Sequence, residues 1–370
     1  MNNEFEIDLE SLYLYILSLL PVKRLEEYDR WLARAGSFEK IYYANEKTLA
    51  EFGLGLELII KLRKIKAEHS IEKLVKSIEQ TGVNVLPYYD ERYPTMLKEI
   101  HDPPPVLFYR GKLGVINEAC VAIVGSRKMS SYGLAVVPRI TEPLINSGIT
   151  IVSGLAYGID SAAHAQSIKH KARTIAVLGT GVDPASIYPR GHFRLSEQII
   201  EYGGLLISEQ PPGTPGFRQN FIARNRIIAG LSLGTVIVEA KKKSGALITA
   251  DYAMEFNRAV YAVPGPAYSS LSDGPHALIK SGAALVTNGG EILEDLEISL
   301  PVLTETLRNS RQSSFSETEQ LVLKCMHGQA LSVTQLALIT KLDANVILQT
   351  LTMLELRGVI KNVGEGFIKI

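Results

Sequence analysis

Val121-Ala122-Ile123-Val124-Gly125-Ser126-Arg127-Lys128 is an unbroken apolar run that stops abruptly at glycine, serine and two cations. Four hydrophobic residues without polar alternation predict a strand buried on both faces, as in a parallel sheet. Similar runs recur at Ile149-Thr150-Ile151-Val152, Thr174-Ile175-Ala176-Val177-Leu178, Leu205-Leu206-Ile207, Thr235-Val236-Ile237-Val238 and Val260-Tyr261-Ala262-Val263. Helix-length segments lie between most of them, which predicts a doubly wound α/β domain from about residue 85 to 299. Upstream, Asp102-Pro103-Pro104-Pro105 is a stiff extended entry into Val106-Leu107-Phe108-Tyr109, read as an edge strand.

The flanks read differently. Residues 1–84 predict a helical module, with Asp8 capping a helix to Leu20 and further helices near 23–35, 46–52 and 56–80. Gly53-Leu54-Gly55 separates two of them, as in a sterile-alpha-motif or helix-hairpin-helix module, or simply a helical bundle used as a protein contact. Residues 300–316 are polar and read as a linker. From 317 to 370, three helices precede Val359-Ile360-Lys361 and Phe367-Ile368-Lys369, with a turn at Gly364-Glu365-Gly366, a winged-helix pattern.

Composition bounds the function. Lys plus Arg and Asp plus Glu each number 39, so no global field draws nucleic acid to the chain. Cys120 and Cys325 are too few for a disulfide framework or a zinc spacing and fit a reducing cytoplasm. The apolar run Leu12 to Leu20 is too short to span a bilayer, and its upstream flank is acidic, unlike a signal peptide. There is no P-loop lysine motif and no His-Glu-x-x-His pattern. Asp160 and His164 have helical i, i+4 spacing, but without a third ligand they are a poor metal pair.

In open α/β sheets ligands bind beyond the carboxyl ends of the strands. Those positions hold Gly125-Ser126-Arg127-Lys128, then Ser153-Gly154 through Asp160, then Gly179-Thr180-Gly181 and Tyr188-Pro189-Arg190, then the 211–216 loop, then Lys241-Lys242-Lys243-Ser244-Gly245. Glycine lets backbone amides approach an anion, and arginine offers a fork for phosphate. Residues 85–300 hold 20 Lys plus Arg against 19 Asp plus Glu, so this edge concentrates positive charge in a neutral domain.

Residues 217–231 sharpen the point. They read as one helix whose first turns carry Arg218, Arg224 and Arg226, where the dipole favours anions. A phosphate there would satisfy both dipole and arginines, whereas the alternative is a surface helix with solvated arginines. Arg226 points away from the apolar face and is expected to pair with a carboxylate such as Glu239. Asp160, Glu209 and Glu239 are expected to cap helices or hold arginines, not to catalyse.

Val121 to Arg127, Ser153 to His164, Ala223 to Leu231 and Ser244 to Thr249 together resemble the DNA-processing protein A (DprA/Smf) family. The resemblance covers about residues 85 to 290, and the flanks are similar to those of longer members. It implies an extended Rossmann fold that binds single-stranded DNA without sequence preference, needs no cofactor and is not an enzyme. It further implies protection of incoming DNA in natural transformation, loading of the RecA recombinase, and a homodimer formed around Pro275 to Val286. The DNA-contact positions it implies are Gly125, Ser126, Arg127, Gly154, Arg190, Gly213, Arg218, Phe221, Arg224, Asn225, Lys243, Ser244 and Gly245. Arg190 stands where the family often has lysine, which keeps the charge. Related nucleotide hydrolases carry a Pro-Gly-Gly-x-Gly-Thr motif, whereas the corresponding region here is Lys243 to Thr249. The expected recognition helix, Asp343 to Arg357, is nearly free of cations, so the winged helix reads as a weak DNA or protein contact and not as a sequence reader.

Overall fold

The computed structural model describes residues 8–298, 317–326, 331–356, 360–362 and 366–369, which form two compact units, residues 1–296 and 297–370. The first begins with α1 (Leu9–Ser18), α2 (Leu25–Ala35), α3 (Phe38–Tyr43), α4 (Glu46–Glu51), α5 (Leu56–Glu68) and α6 (Ile71–Thr81). Asp8 caps α1, its carboxylate accepting from the Glu10 amide at 3.1 Å. The single helix expected over 56–80 is two, because Ser70 leaves helical geometry and caps α6. These helices share one hydrophobic core with the sheet that follows: the Tyr15 ring meets Phe108 edge-on at 5.1 Å.

The α/β part comprises β1 (Asn84–Pro87), α7 (Thr95–Lys98), β2 (Val106–Gly111), β3 (Cys120–Val124), α8 (Ser131–Asn146), β4 (Thr150–Ser153), α9 (Ile159–Lys169), β5 (Thr174–Leu178), α10 (Phe193–Glu201) and β6 (Leu205–Ser208). It continues through α11 (Arg218–Ala223), α12 (Asn225–Gly230), β7 (Gly234–Ile237), α13 (Gly245–Glu255), β8 (Ala259–Ala262), α14 (Asp273–Lys280), β9 (Ala284–Leu285) and α15 (Gly289–Ile298). The sheet order is β1-β2-β6-β5-β4-β3-β7-β8-β9, parallel from β6 to β9 and antiparallel at β1 and β2. This is a doubly wound, Rossmann-like sheet, and β3 to β7 are buried at every residue, as their apolar runs require.

Two readings change. β2 is not an edge: β1, too short to stand out in the sequence, pairs outside it in the register Val85↔Phe108. The helix expected over 217–231 is broken into α11 and α12 at Arg224, where the Ile227 amide bonds back only three residues, to the Arg224 carbonyl at 2.9 Å.

The chain winds outward from β3 through β4 and β5 to β6, then returns to the other side of β3 as β7. The crevice between the loops after β3 and β7 is therefore the switch point, where open α/β sheets bind ligands.

The second unit holds α16 (Glu317–Cys325), α17 (Val333–Thr340), α18 (Ala344–Leu356), β10 (Ile360–Asn362) and β11 (Phe367–Lys369). Val322, Leu336, Ile347, Leu351, Leu354 and Ile360 form its core, and β10 pairs with β11 antiparallel. Ser332 and Gln335 make a reciprocal capping box at α17. This is the expected winged helix, and α18 carries no lysine or arginine. The linker 300–316, Arg357, Val359 and Gly364-Glu365 lie outside the described residues. Among the described residues no helix is long and apolar enough to cross a membrane.

Candidate nucleic-acid interface

Glu239, at the end of β7, closes the switch point. Its backbone carbonyl accepts from the Ser126 amide at 2.7 Å, and its buried carboxylate takes the Ser130 amide at 2.9 Å and the Ser130 hydroxyl. The loop after β3 is thereby tied to the loop after β7. Gly158 (φ 82°) is needed where a Cβ would strike the Ser126 carbonyl. The result is a stiff rim with the side chains of Arg127 and Lys128 exposed on it.

Beyond this rim lies a cavity of about 940 Å³. Its walls carry Arg127, Lys128, Arg218, Arg224 and the run Lys241–Lys243, against two carboxylates, Asp160 and Asp251. The amino end of α13 opens into it, with Ser244 capping the helix by accepting from the Ala246 amide at 3.3 Å. Unsatisfied amides at that end and the surrounding lysines favour an anion by the same sign of charge. Asn225 fastens α12 to this turn, donating to the Gly245 carbonyl at 3.2 Å.

Arg224 is the buried member of the set, 6% exposed. Its Nη1 donates to the Gly154 carbonyl at 2.7 Å and to the Val177 carbonyl, while Nε has no partner. Burial pulls its pKa down to about 10, against the pull of Asp160 and with the push of Arg127. Burial pushes the Asp160 carboxyl up, and Arg224 together with the amides of Ala156 and Gly154 offsets this only in part. The Asp160 carboxylate accepts from the Gly154 amide at 3.1 Å, so Gly154 is held from both sides.

Phe221 supplies the aromatic surface. Arg127 stands 5.8 Å from its ring centroid and Tyr188 5.5 Å. Gly179 lies beneath it: a Cβ there would come to 2.8 Å from Phe221 Cδ1. The Gly179-Thr180-Gly181 loop is thus packing, closed over by residues 211–221, and not a free anion loop.

Of the thirteen expected contact residues, ten line the large cavity: Gly125, Ser126, Arg127, Arg218, Phe221, Arg224, Asn225 and Lys243 to Gly245. Gly154 borders a smaller adjoining cavity. Arg190 and Gly213 line neither. The exposed Arg190 guanidinium is bonded to the carbonyls of Pro184 and Ala185, and the Gly213 amide to Asp183. Lys128, Lys241, Lys242 and Tyr188, which the strand-end loops contain but the thirteen contacts do not, are also on the wall. The lysines were visible as a charge cluster, and Tyr188 only as a neighbour of Arg190 in its loop.

Arg226 takes a different partner from the one expected. Its guanidinium forks onto Glu209 at 2.9 and 2.6 Å, and its Nε donates to the Asp102 carbonyl at 2.8 Å. Glu239 is already committed to Ser126 and Ser130. Burial works against the Arg226 charge, and Glu209 with Asp102 more than offsets it, leaving the pKa raised. Arg226 therefore pins the proline-rich entry segment to β6. Asp160, Glu209 and Glu239 each hold a structural bond. His164 does not join Asp160: its Nδ1 meets Thr174 Oγ1 at 2.8 Å. Among the described residues no three His, Cys, Asp or Glu side chains cluster as a metal site.

The family model for DNA recombination-mediator protein A matches residues 84–297, and that for the DprA winged helix domain matches 308–366. The chain belongs to the DNA recombination-mediator protein A family. It is 39% identical over 305 residues to protein Smf of Escherichia coli K12, covering 81% of each chain. It is 46% identical over 208 residues to DNA processing protein DprA of Streptococcus pneumoniae, across 56% of this chain and 72% of that one. The solved structure of DprA from Streptococcus pneumoniae superposes with a TM-score of 0.65 at 35% identity, covering 78% of this chain and 98% of the other. DNA processing protein A from Helicobacter pylori, described for its single-stranded DNA binding mode, gives 0.52 at 27% identity over 59% of this chain and 96% of its own.

Proposed function

We propose that this family member is a single-stranded DNA-binding protein that holds the DNA backbone along the carboxyl edge of its sheet, without reading sequence. The observation that carries the reading is the cavity at the switch point, where exposed lysines and arginines, one buried arginine and a helix amino end converge beside Phe221. Phosphates meet the cations and amides, and a base stacks on the aromatic ring. These contacts address charge and ring faces, which every nucleotide has, so no base is preferred. Arg190 and Gly213 belong to the same reading as contacts outside the cavity.

The family relationship supports the wider role: protection of incoming DNA during natural transformation and delivery of a RecA-type recombinase to it, in the cytoplasm, without catalysis of its own. It also supports a homodimer through α14 and β9, since β9 ends the sheet and leaves Leu285 half exposed. Light scattering on the purified chain gives its mass directly, and a monomer at micromolar concentration counts against the dimer.

The central reading is tested by gel shift with single- and double-stranded oligonucleotides across a salt series. Tight binding to oligo-dT and to mixed sequence, steeply weakened by salt, is expected. Equal affinity for Arg127→Ala and wild type would place the DNA elsewhere. Release of free base from nucleoside monophosphates by the pure protein would instead support a nucleotide hydrolase.

A further inference from the structure

Beside the large cavity lies a second, of about 30 Å³, bordered by Arg127, Tyr157, Tyr188, Pro189 and Phe221. Arg127, Tyr188 and Phe221 line both, so the two spaces share a wall. Past that wall the surface is aromatic. Tyr188 and Tyr157 are each about half exposed, at 48% and 50%. Two half-exposed rings on one small cavity, beside a cationic groove, offer ring faces to the bases of a strand. Tyr157 is backed by His192, whose ring lies 4.6 Å away and whose Nδ1 bonds to the Leu155 carbonyl at 2.9 Å. Leu155 has φ 57°, a conformation branched aliphatic residues rarely adopt, so the backbone that sets Tyr157 on this rim is strained.

The cations alternate with the rings. Arg127 stands 5.8 Å from the Phe221 centroid, and Arg190 stands 5.9 Å from the Phe193 centroid. Arg190 is exposed, but its guanidinium is fixed by the Pro184 and Ala185 carbonyls at 2.8 and 3.0 Å. A surface built of held arginines and half-exposed rings is what a single strand needs for backbone contact and base stacking.

We infer that the bound strand continues past Phe221 onto Tyr188 and Tyr157, which form a second base-stacking step leading to Arg190. This rests on the proposed binding of single-stranded DNA in the large cavity. It accounts for Arg190, which borders neither cavity but follows Tyr188 by two residues and precedes Gly191, whose Cβ position lies 3.1 Å from the Tyr157 hydroxyl. The step accepts purine or pyrimidine faces alike.

The test uses the full chain and fluorescence anisotropy with labelled oligo-dT of increasing length. Wild type gains affinity as the strand lengthens from filling the large cavity to covering the tyrosines. Tyr157→Ala, at the ring that borders the smaller cavity and not the large one, is expected to lose that gain, roughly 5- to 150-fold per stacked base, while the shortest strands bind as before. Tyr157→Phe, which keeps the ring, is expected to retain it. The salt slope of Tyr157→Ala is unchanged, because no cation is removed. 2-Aminopurine walked along the strand gives a readout without any substitution, and a stacked position beyond the one on Phe221 is expected. The inference is overturned if Tyr157→Ala matches wild type at every length, if it weakens short and long strands alike, or if no second stacked position is found. Failure of wild type to bind single strands at all would instead overturn the underlying reading.

Discussion

Arg224 Nη1 donates to the backbone carbonyl of Gly154 at 2.7 Å, and Gly154 is glycine because a Cβ there would occupy the guanidinium's place. The residue that floors the binding cavity is therefore seated by the loop after β4, across the sheet edge from its own helix. A flexible cation on the surface would have to give up rotamer entropy on meeting a phosphate, whereas Arg224 has already done so in the folded state. Gly154→Ala should consequently cost both stability and affinity. Overpacking a buried site of this kind costs about 1–3 kcal/mol. A lowered denaturant midpoint together with weaker oligo-dT binding is the expected pair of results, and an unchanged midpoint would mean that the guanidinium moves aside freely.

Arg226 lies only two residues on and should behave oppositely. Its guanidinium is buried and its partner Glu209 only partly so, and neither lines the cavity. Removing one partner of a fully buried pair costs about 3–5 kcal/mol, and water that reaches the stranded Glu209 brings the cost toward or below the low end. Arg226→Ala should therefore lower stability strongly, while the salt slope of DNA binding in the remaining folded protein stays that of wild type. Thermal melts and anisotropy on the same preparation separate the two effects, and a flattened slope would make Arg226 a phosphate contact after all.

The contrast also measures what the sequence could reveal. The parallel strands were legible because burial on both faces leaves continuous apolar runs such as Val121 to Val124. The site was legible because doubly wound sheets place ligands at one edge, which reduced the search to five loops. What escaped was decided by tertiary partners. β1 is four residues long, and only its pairing with β2 makes it a strand. Arg226 was expected to pair with a carboxylate such as Glu239, but the fold sets Glu209 beside it, and the Glu239 carboxylate is taken by Ser130. The break at Arg224 coincides with the turn of its side chain toward Gly154 and Val177, carbonyls 70 and 47 residues away in sequence. Tyr188 stood out only through its ring, 5.5 Å from that of Phe221, and the small cavity it borders together with Tyr157.

His164 predicts acid sensitivity. Thr174 Oγ1 donates its only proton to the Ile151 carbonyl, so it accepts from His164 Nδ1–H, which leaves Nε2 bare and buried. Burial, with lesser pushes from His192 and Arg224, holds the His164 pKa down at about 3, against an ordinary 6.5. The unfolded chain therefore takes up a proton below pH 6.5 that the folded chain refuses. Stability from this group is complete above 6.5 and is lost as pH falls toward 3, by at most about 1.4 kcal/mol per unit. Urea midpoints at pH 7.5 and 5 should differ in wild type. His164→Gln should be less stable at pH 7.5 yet show a smaller difference, and an equal difference would assign the acid sensitivity to other groups.

Lys241, Lys242 and Lys243 test the electrostatics most directly, since all three are exposed on the cavity wall. Exposed lysines contribute little to folding, so Lys241→Ser/Lys242→Ser/Lys243→Ser should melt within a degree or two of wild type. Their proposed partners are DNA phosphates, and each phosphate contact contributes about −0.7 to the slope of log affinity against log salt for a single strand. The triple variant should thus bind more weakly at low salt and lose up to about 2 units of slope, converging on wild type as salt rises. The loss should be the same for oligo-dT and for mixed sequence, because a point charge reads no base. Reduced affinity with an unchanged slope would mean that the lysines shape the loop before α13 without touching the backbone, leaving the helix amino end and the arginines to hold the strand.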